Sequence, residues 1–200
     1  MPDAIAWGAV ALLVAASAAL LIARDWRWTL ALLALQYLAA FALTAQFWPL
    51  TMATAKLVTG WMATAALGLT RFNLARREAA PERSLPEAAP FRLLGVAIIL
   101  VMAFSAASRL EKLIPGLGLP IAAGSIILMG SGLLRLGTTA DILRMVVGLL
   151  TLLSGFEALY AAVESSILVT ALLAVVNLGL ALAGSYLLQN SMPSEAETSL

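Results

Sequence analysis

The chain contains no cysteine and no histidine, and only 12% of its 200 residues are charged. The first absence excludes disulfides, thiol nucleophiles and the thiolate ligands of iron–sulfur and zinc sites. The second excludes imidazole as a proton shuttle, a haem ligand or a metal ligand. No cofactor, metal or catalytic residue is therefore expected on this chain. Also missing are a phosphate-binding loop, a G-x-G-x-x-G turn after a strand, a nucleophile elbow and a two-histidine metal helix. Twelve Lys plus Arg against eleven Asp plus Glu leave a net charge of +1, which provides no footprint for a nucleic-acid partner.

What is abundant is apolar surface: 62% of the residues are hydrophobic, and the mean hydropathy is +0.97. A helix needs about 20 mostly apolar residues to cross a hydrocarbon layer about 30 Å thick. Seven such runs can be marked off by their charged borders, at about residues 4–23, 28–47, 50–70, 93–108, 117–134, 142–163 and 165–188. The expected fold is an all-α integral membrane protein, a single transmembrane domain over residues 1–200 built as a bundle of about seven helices. Residues 71–92 hold five Arg, three Glu and three Pro, a polar and helix-breaking stretch that reads as a cytoplasmic loop. Gly116 and Gly118, between Pro115 and Pro120, read as a turn.

Orientation follows from the cations on alternate sides. With the N-terminus outside, the inner segments hold Arg24, Arg27, Arg71, Arg76, Arg77, Arg83, Arg92, Arg135 and Arg144, and the outer ones hold Arg109 and Lys112. That bias predicts an extracytoplasmic N-terminus and a cytoplasmic C-terminus. The first run has no basic segment before it and reads as retained rather than as a cleaved signal. Trp7, Trp26, Trp28, Trp48 and Trp61 read as an interfacial belt.

Two charges remain inside the runs. Lys56 lies six residues past Leu50, and Glu157 lies six before Val163. At about 1.5 Å per residue, each stands about 9 Å from the same outer surface. A charge in mid-bilayer costs at least about 2.5–3.5 kcal/mol, so the pair marks a candidate proton or ion path, as a direct ion pair or a water-bridged relay. The plainer readings are snorkelling for Lys56 and a packing carboxyl for Glu157. Asn177 and Gln36 lie near the middle of their runs. They read first as interhelical glue worth roughly 0.6–2 kcal/mol, and second as residues that position a water on the path. Tyr160 is either a neighbour of Glu157 or an interface anchor. Gly124, Ser125, Gly130, Ser131 and Gly132, with Thr151 and Gly155, make thin faces that predict tight packing against partners, as interfaces with other membrane subunits.

Residues 143–188, LRMVVGLLTLLSGFEALYAAVESSILVTALLAVVNLGLALAGSYLL, resemble the last two helices of the K subunit of respiratory complex I. They resemble more closely those of its relative, the hydrogenase-4 membrane component E family. The likeness to component E extends over about residues 24–188: ATAKLVTGWMA carries an intramembrane lysine at Lys56, and the charged, proline-bearing RFNLARREAAPERSLPEAAP follows it. Glu157 falls in the first polar site of that pattern, and Asn177 stands where the following helix carries a second acidic residue. The resemblance implies a non-catalytic membrane-arm subunit of a complex I-like or group 4 hydrogenase-like oxidoreductase. Its role would be proton or ion translocation and bridging between other membrane subunits, antiporter-like ones among them, in the cell (inner) membrane. Two other readings stay open: a stand-alone secondary transporter using Lys56 and Glu157 for substrate or coupling ion, and a structural membrane scaffold. The sequence has no inverted repeat and no pair of broken helices to favour the transporter.

Overall fold

Asp25 and Asp141 each begin a helix by accepting a backbone N–H two residues on, from Arg27 at 2.9 Å and from Leu143 at 3.1 Å. Such a cap satisfies one of the four N–H groups that a helix start leaves orphaned. The computed structural model describes residues 2–23, 25–75, 89–114 and 116–191, and among them it contains seven α-helices. These are α1 (Pro2–Ile22), α2 (Trp26–Thr44), α3 (Leu50–Ala75), α4 (Ala89–Leu113), α5 (Leu119–Gly137), α6 (Ile142–Val163) and α7 (Ile167–Asn190). Pro49 precedes α3 and Pro120 sits in the first turn of α5, where a missing N–H costs least. Gly116 turns the chain between α4 and α5 at a φ of 89°, a conformation that a Cβ would disfavour.

Six of the seven helices are long and apolar enough to cross a membrane, which makes this an all-helical, multi-pass membrane fold. The exception is α3, whose 26 residues include five Thr, Lys56 and Arg71. Several boundaries differ from the apolar runs. The first run, placed at 4–23, forms a helix that already begins at Pro2 and closes at Ile22. The second, placed at 28–47, starts at Trp26 on the Asp25 cap and ends at Thr44, whose hydroxyl donates back to the Ala40 carbonyl at 3.0 Å. The third and fourth, placed at 50–70 and 93–108, continue as helix to Ala75 and Leu113, because Arg, Glu and Lys are good helix formers outside lipid. The fifth and seventh, placed at 117–134 and 165–188, shift to Leu119–Gly137 and Ile167–Asn190. The sixth keeps its bounds. Of the loop expected at 71–92, residues 71–75 and 89–92 are helical; Arg24, Arg76, Arg77 and Arg83, expected on the inner side, lie outside the described residues.

The helices alternate in direction. At one end of the bundle the Trp48 indole N–H donates to the Glu164 carbonyl at 3.0 Å, tying the α2–α3 connection to the α6–α7 connection. At the other end Arg135, near the end of α5, donates to the carbonyls of Leu20 on α1 and Arg144 on α6. α2 and α5 form the middle of the bundle. α2 packs against α1, α3 and α6, and α5 packs against α1, α4 and α6, while α7 closes over α3 and α6. α5 and α6 approach closely enough that a Cβ on Gly132 would lie 2.7 Å from the Gly148 carbonyl oxygen, and one on Gly155 would lie 2.8 Å from the Met129 nitrogen. The thin faces expected there are thus used within the chain, helix against helix.

Candidate functional site

Lys56 projects from the second turn of α3, and Glu157 sits in the C-terminal half of α6. Both side chains are almost wholly buried, and they form an ion pair from Lys56 Nζ to Glu157 Oε2. The similar depth read from helix rise becomes direct contact. The lysine also donates to the Ser154 carbonyl at 3.5 Å, one turn before Glu157. α3 and α6 are not among the closely packed helix pairs, so the long lysine stem is what bridges them.

The other carboxylate oxygen is held from α7. Asn177 Nδ2 donates to Glu157 Oε1 at 2.7 Å, and the Tyr37 hydroxyl on α2 donates to Asn177 Oδ1 at 3.2 Å. Four residues from four helices therefore converge, and Glu157 accepts one hydrogen bond on each oxygen. Taking a single charge out of water costs several kcal/mol; pairing it and satisfying its remaining lone pairs offsets that cost. Every buried polar group in this cluster has a partner except the Ser154 hydroxyl, which has none among the described residues. An amide takes up no proton, so Asn177 and Tyr37 hold Glu157 in place and close its α2 side.

Both charged groups line a cavity of about 290 Å³ between α3 and α7, walled chiefly by apolar and threonine side chains that include Trp48, Thr51, Ala55, Ala171 and Ala174. Asn177 is also in its wall. Among the described residues no group of His, Cys, Asp and Glu is placed to hold a metal ion.

Gln36 does not reach this cluster. Its Nε2 donates to Ser17 Oγ on α1 at 2.7 Å, and its Oε1 accepts from Thr151 on α6 at 3.2 Å. It joins three helices about 100° around α2 from Tyr37, as interhelical glue. Tyr160 packs edge-on against Trp48, with ring centroids 6.4 Å apart. Trp48 is itself buried, so it serves as an internal fastener and the expected belt loses one member. Sequence reasoning passed over Tyr37, which resembles any other aromatic residue in an apolar run, and Ser17, one of many small residues on α1. It also counted Arg135 as a loop cation. α5 runs on to Gly137, so Arg135 lies inside the helix and is buried. Lys56 is therefore not the only cation within a helix of the bundle.

Comparison with family models, with curated proteins and with solved structures gives no match.

Proposed function

We propose that this chain is a non-catalytic membrane-arm subunit of a complex I-like or group 4 hydrogenase-like oxidoreductase, in which Lys56 and Glu157 handle the translocated proton or ion. The observation that carries the reading is the buried Lys56–Glu157 pair, which faces a cavity and is held on its other side by Asn177 and Tyr37. Ionisable residues inside a membrane bundle are costly, and where they persist they mark ion or proton routes. The resemblance of residues 24–188 to hydrogenase-4 component E names the kind of assembly. Electron transfer would then belong to other chains, and this one would bridge antiporter-like neighbours in the cell (inner) membrane.

The same reading takes α3 as a seventh span, with the N-terminus outside and the C-terminus cytoplasmic. At about 1.5 Å per residue its 26 residues extend about 39 Å, longer than the hydrocarbon layer. Its neighbours α2 and α7 flank it, and Lys56 is neutralised by Glu157. The cation bias sets the direction.

The deciding experiment is ion pumping by the assembled complex in inverted vesicles, normalised to its electron-transfer rate. Glu157→Gln keeps the volume and can accept only one of the two hydrogen bonds that the carboxylate takes from Lys56 and Asn177; it removes the titratable group and the negative charge. Coupling is expected to fall strongly while assembly persists; unchanged coupling would show the carboxylate to be structural. Solute transport by the purified chain alone in liposomes would instead favour the stand-alone transporter. Against that alternative, all seven helices run unbroken through their described residues, without the interrupted pair that transporter sites use.

A further inference from the structure

The cavity between α3 and α7 has a polarity that its occupant would have to match. Among the described residues its only charged lining groups are Lys56 and Glu157, which neutralise each other. A cationic head would meet the ammonium and an anionic one the carboxylate, so the walls select an uncharged guest. Two of its three threonines present little to bind: Thr59 and Thr170 spend their hydroxyl protons on their own helices, at 2.7 Å to the Ala55 carbonyl and 3.0 Å to the Ser166 carbonyl, while Thr51 lies at the mouth, near the start of α3. Trp48 spends its indole N–H on Glu164.

Donors are left over at the polar floor. A lysine ammonium has three N–H groups, and Lys56 directs them at two acceptors, Glu157 and the Ser154 carbonyl. An asparagine amide has two, and Asn177 directs one at Glu157. The floor therefore offers N–H groups to an acceptor, and the rest of the wall is chiefly apolar. Taking about 30 Å³ for a water-sized group, a cavity of about 290 Å³ accommodates about ten heavy atoms. A mostly apolar pocket with a few convergent polar groups between bundle helices is the usual form of a small-molecule site.

We propose that this cavity binds a medium-chain amphiphile with an uncharged carbonyl head, entering from the lipid phase past the exposed Ala55 and Ala171. The carbonyl lies against Lys56 and Asn177, and the chain lies along Ala171, Ala174 and Trp48. The floor stands well below the end of the bundle: Lys56 is six residues into α3 and Asn177 ten into α7, or about 9 and 15 Å. A phospholipid, whose head stays at the interface, does not bring a carbonyl to that depth. The site does not depend on the chain belonging to any particular complex.

The test is photolabelling of the intact chain, in detergent and in its native membrane, with a medium-chain methyl ester bearing a diazirine. Labels are mapped by mass spectrometry. Saturable labelling confined to residues 48–59 and 167–177 is expected, with unlabelled ester competing about tenfold better than the free carboxylate or the alkane of equal length. That is the worth of one or two hydrogen bonds. Ala174→Phe, which fills the cavity, should abolish the label, and Ala183→Phe on the exposed side of the same helix should not. The competition series uses the unaltered chain and so stands whether or not the filled variant folds. Equal competition by the alkane, preference for the carboxylate, or unsaturable labelling over all seven helices would overturn the proposal. So would loss of labelling in the native membrane because another helix occupies the groove.

Discussion

The ring of Tyr37 on α2 occupies the space that a side chain on residue 60 of α3 would fill; a Cβ built on Gly60 overlaps that ring. Tyr37 is fully buried, and its hydroxyl reaches across to Asn177 on α7. The missing side chain at Gly60 is what allows this reach. Gly60→Ala should therefore destabilise the chain by about 1–3 kcal/mol through overpacking, despite a gain in helix propensity of about 1 kcal/mol. Thermal unfolding in detergent measures it, and adding Tyr37→Leu should restore part of the loss. A melting temperature equal to or above that of the parent would contradict the packing described.

Gly132 meets backbone rather than a side chain, so its neighbours have less freedom to yield. Gly132→Ala is expected to cost at least as much as Gly60→Ala, because its Cβ would lie 2.7 Å from both the Gly148 oxygen and the Leu152 nitrogen. Gly179, with nothing within 4 Å, is the control. Its replacement by Ala should be neutral, or stabilising by up to about 1 kcal/mol. The same unfolding series separates the two sites.

The ion pair predicts non-additivity. Lys56→Met leaves a buried carboxylate without its cation, and Glu157→Leu leaves a buried ammonium; each should cost about 3–5 kcal/mol. The double variant removes both charges and should be less destabilised than either single one. A double-mutant cycle in which the two losses simply add would show that the pair is not coupled.

Arg135 donates to two carbonyls at the ends of α1 and α6. Arg135→Lys keeps the charge but offers one ammonium where a planar fork spans two acceptors. It is expected to lose about 1.5–3 kcal/mol, and Arg135→Leu at least as much. Proteolysis at the α5–α6 connection should speed up in both variants; an unchanged cleavage rate would argue against Arg135 as a clasp.

A reporter fused after Gln189 should be active only in the cytoplasm, and one at Pro2 only outside, as the cation bias requires. Reversed activities would invert the proposed orientation. Activity of both on the same side would remove α3 from the membrane.

Legibility in the sequence followed the cost of each error. A charge in an apolar run is expensive, so Lys56 and Glu157 stood out, and the helix rise placed them at a common depth without showing that they touch. Amides are cheaper and more common, and so Asn177 and Gln36 looked alike; only the arrangement of helices assigns one to the ion pair and the other to Ser17 and Thr151. Tyr37 had no such signal, because an aromatic residue is at home in lipid and its hydroxyl matters only once Gly60 lets α3 draw near. Arg135 was misread because hydropathy ends a run at the first cation, whereas the helix ends two residues later, at Gly137. The helix ends at Ala75 and Leu113 were missed for the same reason: backbone hydrogen bonding does not stop at the edge of the apolar run.

Lys56 and Glu157 are 101 residues apart in the chain. At synthesis rates of about 5–20 residues per second, α3 emerges about 5–20 s before its counter-ion exists. During that interval the ammonium has no buried partner, and its place in hydrocarbon would cost at least about 2.5 kcal/mol. If α3 is the seventh span proposed above, the nascent helix would need shelter, in the insertion machinery or at the lipid–water boundary, until α6 arrives. α1 with α2, and α5 with α6, can zip together as they are made. On that reading the seating of α3 under α7 would be the late step in biogenesis, timed by a carboxylate 101 residues further along the chain.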